Sequence, residues 1–162
     1  MMKISKKEIE QRMARFKEMC RNSGMKLTHQ RLEIFREVAK TGDHPDADKV
    51  YQGVRERMPT MALDTVYRTL WLLKDLGLIT TLGPFRERAR FDANLNSHHH
   101  FVCVRCGLTR DFYSEAFDEV KLPDSVNTFG RVETTQVEVK GVCRKCNAKE
   151  KKDNLNISRK RR

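Results

Sequence analysis

Apolar positions recur at helical spacing from the start of the chain. After Ser5, the residues Ile9, Met13, Phe16 and Met19 or Cys20 share one face, and Glu8 stands three residues beyond Ser5, the spacing of a capping box. The same period returns three times. Thr28 can cap a helix carrying Leu32, Ile34, Phe35 and Val38, which Gly42 stops. Asp46 can cap another carrying Val50, Tyr51 and Val54, stopped near Met58-Pro59. The stretch LDTVYRTLWLLKDLG then buries Val66, Leu70, Leu73 and Leu76 and ends at Gly77. Two strand candidates follow, LITTL (78–82) and RARFD (88–92), joined by the turn-like GPFRE. Helices followed by a two-stranded ribbon are the order of a winged helix-turn-helix, whose last helix enters the DNA major groove while the ribbon touches the backbone. A plain helical bundle satisfies the same periodicity. Trp71 fits the edge of this core, and Cys20 reads as a small core residue.

Past residue 92 the pattern changes. ANLNS (93–97) reads as a short linker, HFVCV and LTRDFY form a hairpin around Arg105-Cys106-Gly107, EAFDEV suits a short helix, and TTQVEVK alternates as a strand does. The expected organisation is α+β: residues 1–92 a winged-helix domain, 93–97 a linker, 98–150 a second small domain, and 151–162 a basic, disordered tail. A unit of roughly 65 residues with few large apolar groups makes a marginal core, which a structural metal can reinforce.

Composition narrows the function. The 162-residue chain has 34% charged residues and no apolar run of membrane-spanning length, and MMKISKKEIEQRM lacks the apolar core of a signal peptide, so a cytoplasmic protein with no membrane partner is expected. Its net charge of +11 sits at the ends: residues 1–30 carry eight Lys/Arg against three acids, residues 144–162 nine against two. Lys6, Lys7, Arg12, Arg15 and Arg21 lie off the apolar stripe of the first helix, giving it a surface suited to a polyanion. Thr65, Tyr67, Arg68 and Thr69 lie in the N-terminal half of the proposed recognition helix, where a hydroxyl reaches phosphate and an Arg can bond both acceptors of guanine; Arg86, Arg88 and Arg90 lie in or beside the wing. These residues favour DNA binding over the plain bundle.

The cysteines point to metal. In a reducing compartment, Cys103, Cys106, Cys143 and Cys146 form two C-x2-C knuckles separated by 36 residues, able to close a tetrahedral thiolate shell around Zn2+; an iron–sulfur centre or a redox dithiol would use the same side chains. The histidines of SHHHFVCVRCG then belong elsewhere. Strand alternation puts His98 and His100 on one face and His99 on the other, with Asp92 and Asp111 as candidate carboxylates. Two His and two Asp make a mixed nitrogen–oxygen site suited to Fe2+ or Mn2+, which Zn2+ can also accept. A metal-dependent hydrolase would need a nucleophile or general base apart from the ligands, and none is evident, so no enzyme is expected.

Together, TVYRTLWLLKDLGLI, HPDAD from His44, RFD, HHHFVCVRCG and GVCRKC resemble the ferric uptake regulator family of bacterial metal-dependent repressors, in the family's order over about residues 8–147. The resemblance implies a winged-helix DNA-binding domain, a C-terminal dimerisation domain holding the four-cysteine zinc, a homodimer on palindromic operator DNA, and a regulatory Fe2+ or Mn2+. It adds His44 to the regulatory ligands Asp92, His98, His100 and Asp111. Asp at 111, where iron-uptake regulators usually have Glu, is similar to the peroxide-sensing repressors. His99 and the Thr134-Thr135 region stand where iron-uptake regulators often carry ligands of a further site, which is therefore expected to be absent. His29, where the family often has Pro, falls at a helix start. What this resemblance implies is a repressor releasing DNA when peroxide oxidises His44 or His98 in an iron-dependent reaction. An iron- or zinc-uptake repressor, or a thiol-based redox switch, is the alternative.

Overall fold

A computed structural model describes residues 4–83 and 89–160, the last seven by backbone alone. The chain divides into two compact units, Met1–Asn96 and Ser97–Arg162.

The N-terminal unit contains α1 (Lys6–Asn22), α2 (His29–Ala39), α3 (Ala47–Arg55), α4 (Leu63–Asp75), β1 (Thr80–Leu82) and β2 (Arg90–Asp92). Three helices begin at the expected caps: Ser5, Thr28 and Asp46 accept backbone N–H groups of Glu8, Arg31 and Lys49. The Ser5 half of the capping box is formed, while the Glu8 carboxylate binds Arg12 at 2.7 Å. Helix α2 ends at Ala39, three residues before the expected stop at Gly42. Helix α4 ends in a Schellman motif, with Leu78 N–H bonded to Leu73 C=O, Gly77 N–H to Lys74 C=O, and Gly77 at φ 67°.

The core gathers Phe16, Ile34, Phe35, Val38, Val50, Val54, Val66, Leu70 and Leu73, with Leu78 and Ile79 packing just before β1. Phe16 stacks on Phe35 at 4.3 Å, and Trp71 meets Phe91 edge-on at 5.9 Å, which gives Trp71 its place at the edge of the core. Cys20 is a buried core residue, and burial raises its thiol pKa. β1 and β2 pair antiparallel, with Thr81 opposite Phe91. This ribbon after the four packed helices makes the winged helix-turn-helix; residues 84–88, including Arg86 and Arg88, lie outside the described residues.

The C-terminal unit contains β3 (His99–Cys103), β4 (Thr109–Phe112), α5 (Glu115–Asp118), a 3-10 turn (Asp124–Thr128), β5 (Glu138–Gly141) and α6 (Arg144–Lys160). Its sheet has the order β4-β3-β5, antiparallel between β3 and β4 and parallel between β3 and β5. The strand expected over TTQVEVK (134–140) is confined to its second half. Helix α6 continues through most of the segment expected to be a disordered tail, since neither Pro nor Gly interrupts residues 144–160. The expected linker is also not loose throughout: Ala93 and Asn94 are buried, and Asn94 N–H donates to Asp92 Oδ1 at 2.7 Å. No helix among the described residues is long and apolar enough to cross a membrane.

Candidate metal centres

The four-cysteine cluster is built at the end of the central strand. Cys103 is the last residue of β3, Cys106 lies in the following turn, and Cys143 and Cys146 lie at the start of α6. Gly141 brings the second knuckle close: a Cβ there would lie 2.9 Å from the Phe101 ring, so a larger residue would have to displace that ring. Gly141 C=O accepts Val104 N–H, and Cys143 N–H donates to Cys103 Sγ at 3.3 Å. One sulfur from each cysteine can be chosen so that all lie within 4.8 Å of one another, and Cys106 and Cys143 are 3.8 Å apart. A tetrahedral shell with Zn–S bonds of about 2.3 Å puts its sulfurs about 3.8 Å apart, so the donor set fits zinc. None of the five cysteines is in a disulfide.

Protonation differs across this cluster. Backbone N–H groups of Cys143 and Cys106 hold Cys103 down to about 6, while hydrogen bonds with the Cys106 and Cys143 side chains push Cys146 up to about 12. One ligand is thus a thiolate before metal arrives and one must lose a proton to bind it.

Each unit also holds a smaller group of nitrogen and oxygen donors. In the N-terminal unit, the loop between α2 and α3 presents His44, whose Nε2 lies 3.3 Å from Asp92 Oδ2 at the end of β2; both side chains are buried. A backbone bond from Phe91 N–H to Pro45 C=O ties that loop to the wing strand. Among the described residues, His44 alone of the non-glycines has positive φ, at 48°, a conformation that costs about 1 kcal/mol and is characteristic of functional loops. In the C-terminal unit, His98 and His100 bring their Nε2 atoms to 3.0 Å. Asp111, register partner of His100 on β4, lies 4.0 Å from His98 Nε2 and 3.8 Å from His100 Nε2. Two imidazoles and a carboxylate so arranged are a set that suits Fe2+ or Mn2+.

His99 is turned away from this group. Its Nδ1 accepts Val137 N–H at 3.3 Å, and its Nε2 faces Ser114 C=O at 3.4 Å and Asp118 Oδ1 at 3.5 Å, between the rings of Phe112 and Phe117. Sequence reasoning gave it no role. Strand alternation, which places it on the same face as Phe101 and Cys103, was the available signal.

Of the candidate DNA contacts, Arg21 is exposed in the last turn of α1 and Arg68 is exposed on α4, where it pairs with Asp64 at 2.6 Å. Thr65 and Tyr67 are half-buried, and Thr69 is turned into the core.

The family model described as the ferric uptake regulator family matches residues 22–140. The peroxide-responsive repressor PerR of Staphylococcus epidermidis is 35% identical over 127 residues, covering 78% of this chain and 84% of that protein. The Campylobacter jejuni peroxide stress regulator superposes with a TM-score of 0.59 at 26% identity, over 80% of this chain and 97% of that one. The iron-containing ferric uptake regulator of Francisella tularensis does so at 0.60 and 27%, over 76% and 96%.

Proposed function

The chain belongs to the ferric uptake regulator family, and from that premise we propose that it is a metal-dependent, DNA-binding repressor that senses hydrogen peroxide. The observation that carries this reading is the two-histidine, one-aspartate group of His98, His100 and Asp111, together with the buried His44–Asp92 pair. The proposed regulatory ligands of Fe2+ or Mn2+ are His44, Asp92, His98, His100 and Asp111. Residues 1–92 form the DNA-binding domain and residues 98–150 the dimerisation domain, in which Cys103, Cys106, Cys143 and Cys146 hold a structural zinc. Metal binding favours the DNA-competent state by its differential affinity for that state.

Thr65, Tyr67 and Arg68 on α4, Arg21 on α1, and Arg86 and Arg88 in the sequence of the wing contact duplex DNA, and a homodimer of such units reads a palindromic operator. His44, Asp92, His98, His100 and Asp111 would hold the Fe2+, which when bound would supply one-electron chemistry with peroxide. The imidazole of His44 or His98 would then gain one oxygen atom at a ring carbon, the other peroxide oxygen leaving as water. The oxidised ring is a poorer ligand, the shell no longer holds the ion, and the operator is released. With Mn2+ the same residues support DNA binding without this oxidation.

The test is duplex binding by zinc-containing protein loaded with Fe2+ or Mn2+, before and after a brief low dose of peroxide. A pool of random duplexes taken through rounds of selection on the Mn2+-loaded protein provides the probe. Loss of binding with Fe2+ alone, with the mass of one oxygen mapped to His44 or His98, is expected. Equal resistance with both metals would favour the second reading, an iron- or zinc-uptake repressor, for which the nitrogen–oxygen donor set is also suited. Loss of binding accompanied by disulfides at Cys103 or Cys143, with no oxidised histidine, would replace the mechanism by a thiol switch.

A further inference from the structure

His99 stands between two proposed ligands yet contributes to neither ligand face. It is fully buried, and both of its ring nitrogens have polar partners. Nδ1 accepts from Val137 N–H, which makes the neutral ring carry its proton on Nε2, the nitrogen aimed at Ser114 C=O and Asp118. Val137 is held twice, because its C=O also accepts His100 N–H at 3.0 Å. Gln136 adds a bond to His98 C=O at 3.3 Å. One imidazole therefore connects β3 to the segment entering β5 on one side and to the start of α5 on the other. Phe112, its register partner on β4, follows Asp111 directly. Any rotation of β3 about its axis that moves His99 on one face moves His98 and His100 on the other.

We propose that His99 is a positioning residue for the regulatory metal: by bridging Val137 and Ser114 it fixes the orientation of β3 at which His98, His100 and Asp111 converge. The inference rests on the ligand assignment made above. The groups it binds are a backbone N–H and a backbone C=O on segments far apart in sequence, Val137 on one side and Ser114 on the other. An apolar ring of similar size preserves the packing against Phe112 and Phe117 but leaves Val137 N–H and Ser114 C=O without this partner. Groups that orient metal ligands through the surrounding hydrogen bonds typically control affinity by roughly 10–100-fold.

The experiment uses full-length, zinc-containing protein titrated with Mn2+, reading free Mn2+ by electron paramagnetic resonance and zinc by elemental analysis. His99→Phe is expected to weaken Mn2+ binding by roughly 10–100-fold while keeping its zinc. His99→Asn restores an acceptor near the Nδ1 position and is expected to fall between that variant and the wild type, a graded response that loss of packing alone does not produce. Mn2+ affinity of His99→Phe within about threefold of wild type overturns the proposal. If that variant loses zinc and therefore its fold, His99→Asn decides: affinity within about threefold of wild type overturns the role, and weaker binding with zinc retained supports it. His98→Ala separates the two levels. Its failure to weaken Mn2+ binding would sink the ligand assignment itself, whereas its loss of binding beside a tight His99→Phe would sink only the positioning role.

Discussion

Cys103 and Cys146 enter metal binding from opposite protonation states. With Cys103 near 6 and Cys146 near 12, zinc uptake around neutral pH releases a proton from Cys146 and almost none from Cys103. Protons leave as the ion binds, so acid opposes binding. Apparent zinc affinity is expected to rise about tenfold or more per pH unit above neutrality, measured by competition with a chromophoric chelator. Gly53 offers a second test. A Cβ there would lie 2.0 Å from Glu37 Oε1, and Glu37 is buried in a network with Arg57 and Lys40. Ala in mid-helix gains about 1 kcal/mol of propensity, but displacing a buried carboxylate from its cations costs about 1–3 kcal/mol. Gly53→Ala is therefore expected to destabilise the N-terminal unit slightly in urea unfolding. Nothing in the local sequence signals this contact, because Gly53 and Glu37 meet only when α2 packs on α3.

Helices were legible because their signals are local. Ser5, Thr28 and Asp46 cap where a polar side chain precedes an apolar period, and Gly77 ends α4 because only a residue tolerant of positive φ completes the Schellman turn. Gly77→Ala is expected to cost about 1–2 kcal/mol of N-terminal stability in the same unfolding experiment. Strands were less legible. TTQVEVK alternates throughout, yet β5 keeps only Glu138–Gly141, since its pairing is limited by the five residues of β3. Pairing parallel to β3 was equally invisible, because alternation fixes which face a side chain takes and not which neighbour the strand finds.

Across the whole chain, the buried apolar residues among those described belong to the N-terminal unit, apart from Cys103 and Cys143. The C-terminal unit instead exposes Val120, Leu122, Val132, Val139 and Phe129, the last at 85%. A unit so poor in core needs its metal, and apolar surface of this extent suits a partner. Cys143→Ser is expected to lose zinc, unfold the C-terminal unit and abolish dimers, while the helical signal of residues 6–75 largely persists; circular dichroism and sedimentation would check both. Spacing along the chain was sufficient for the cysteine knuckles, the His98/His100 face and the winged-helix order, because each rests on a period or on ligands a few residues apart. The Cys143 N–H bond to Cys103 Sγ that draws the knuckles together, the 3.3 Å approach of His44 to Asp92, and the two-sided anchoring of His99 required the folded chain. Those contacts link residues 15 to 48 positions apart, and a distance that long is closed by packing, which no local pattern encodes.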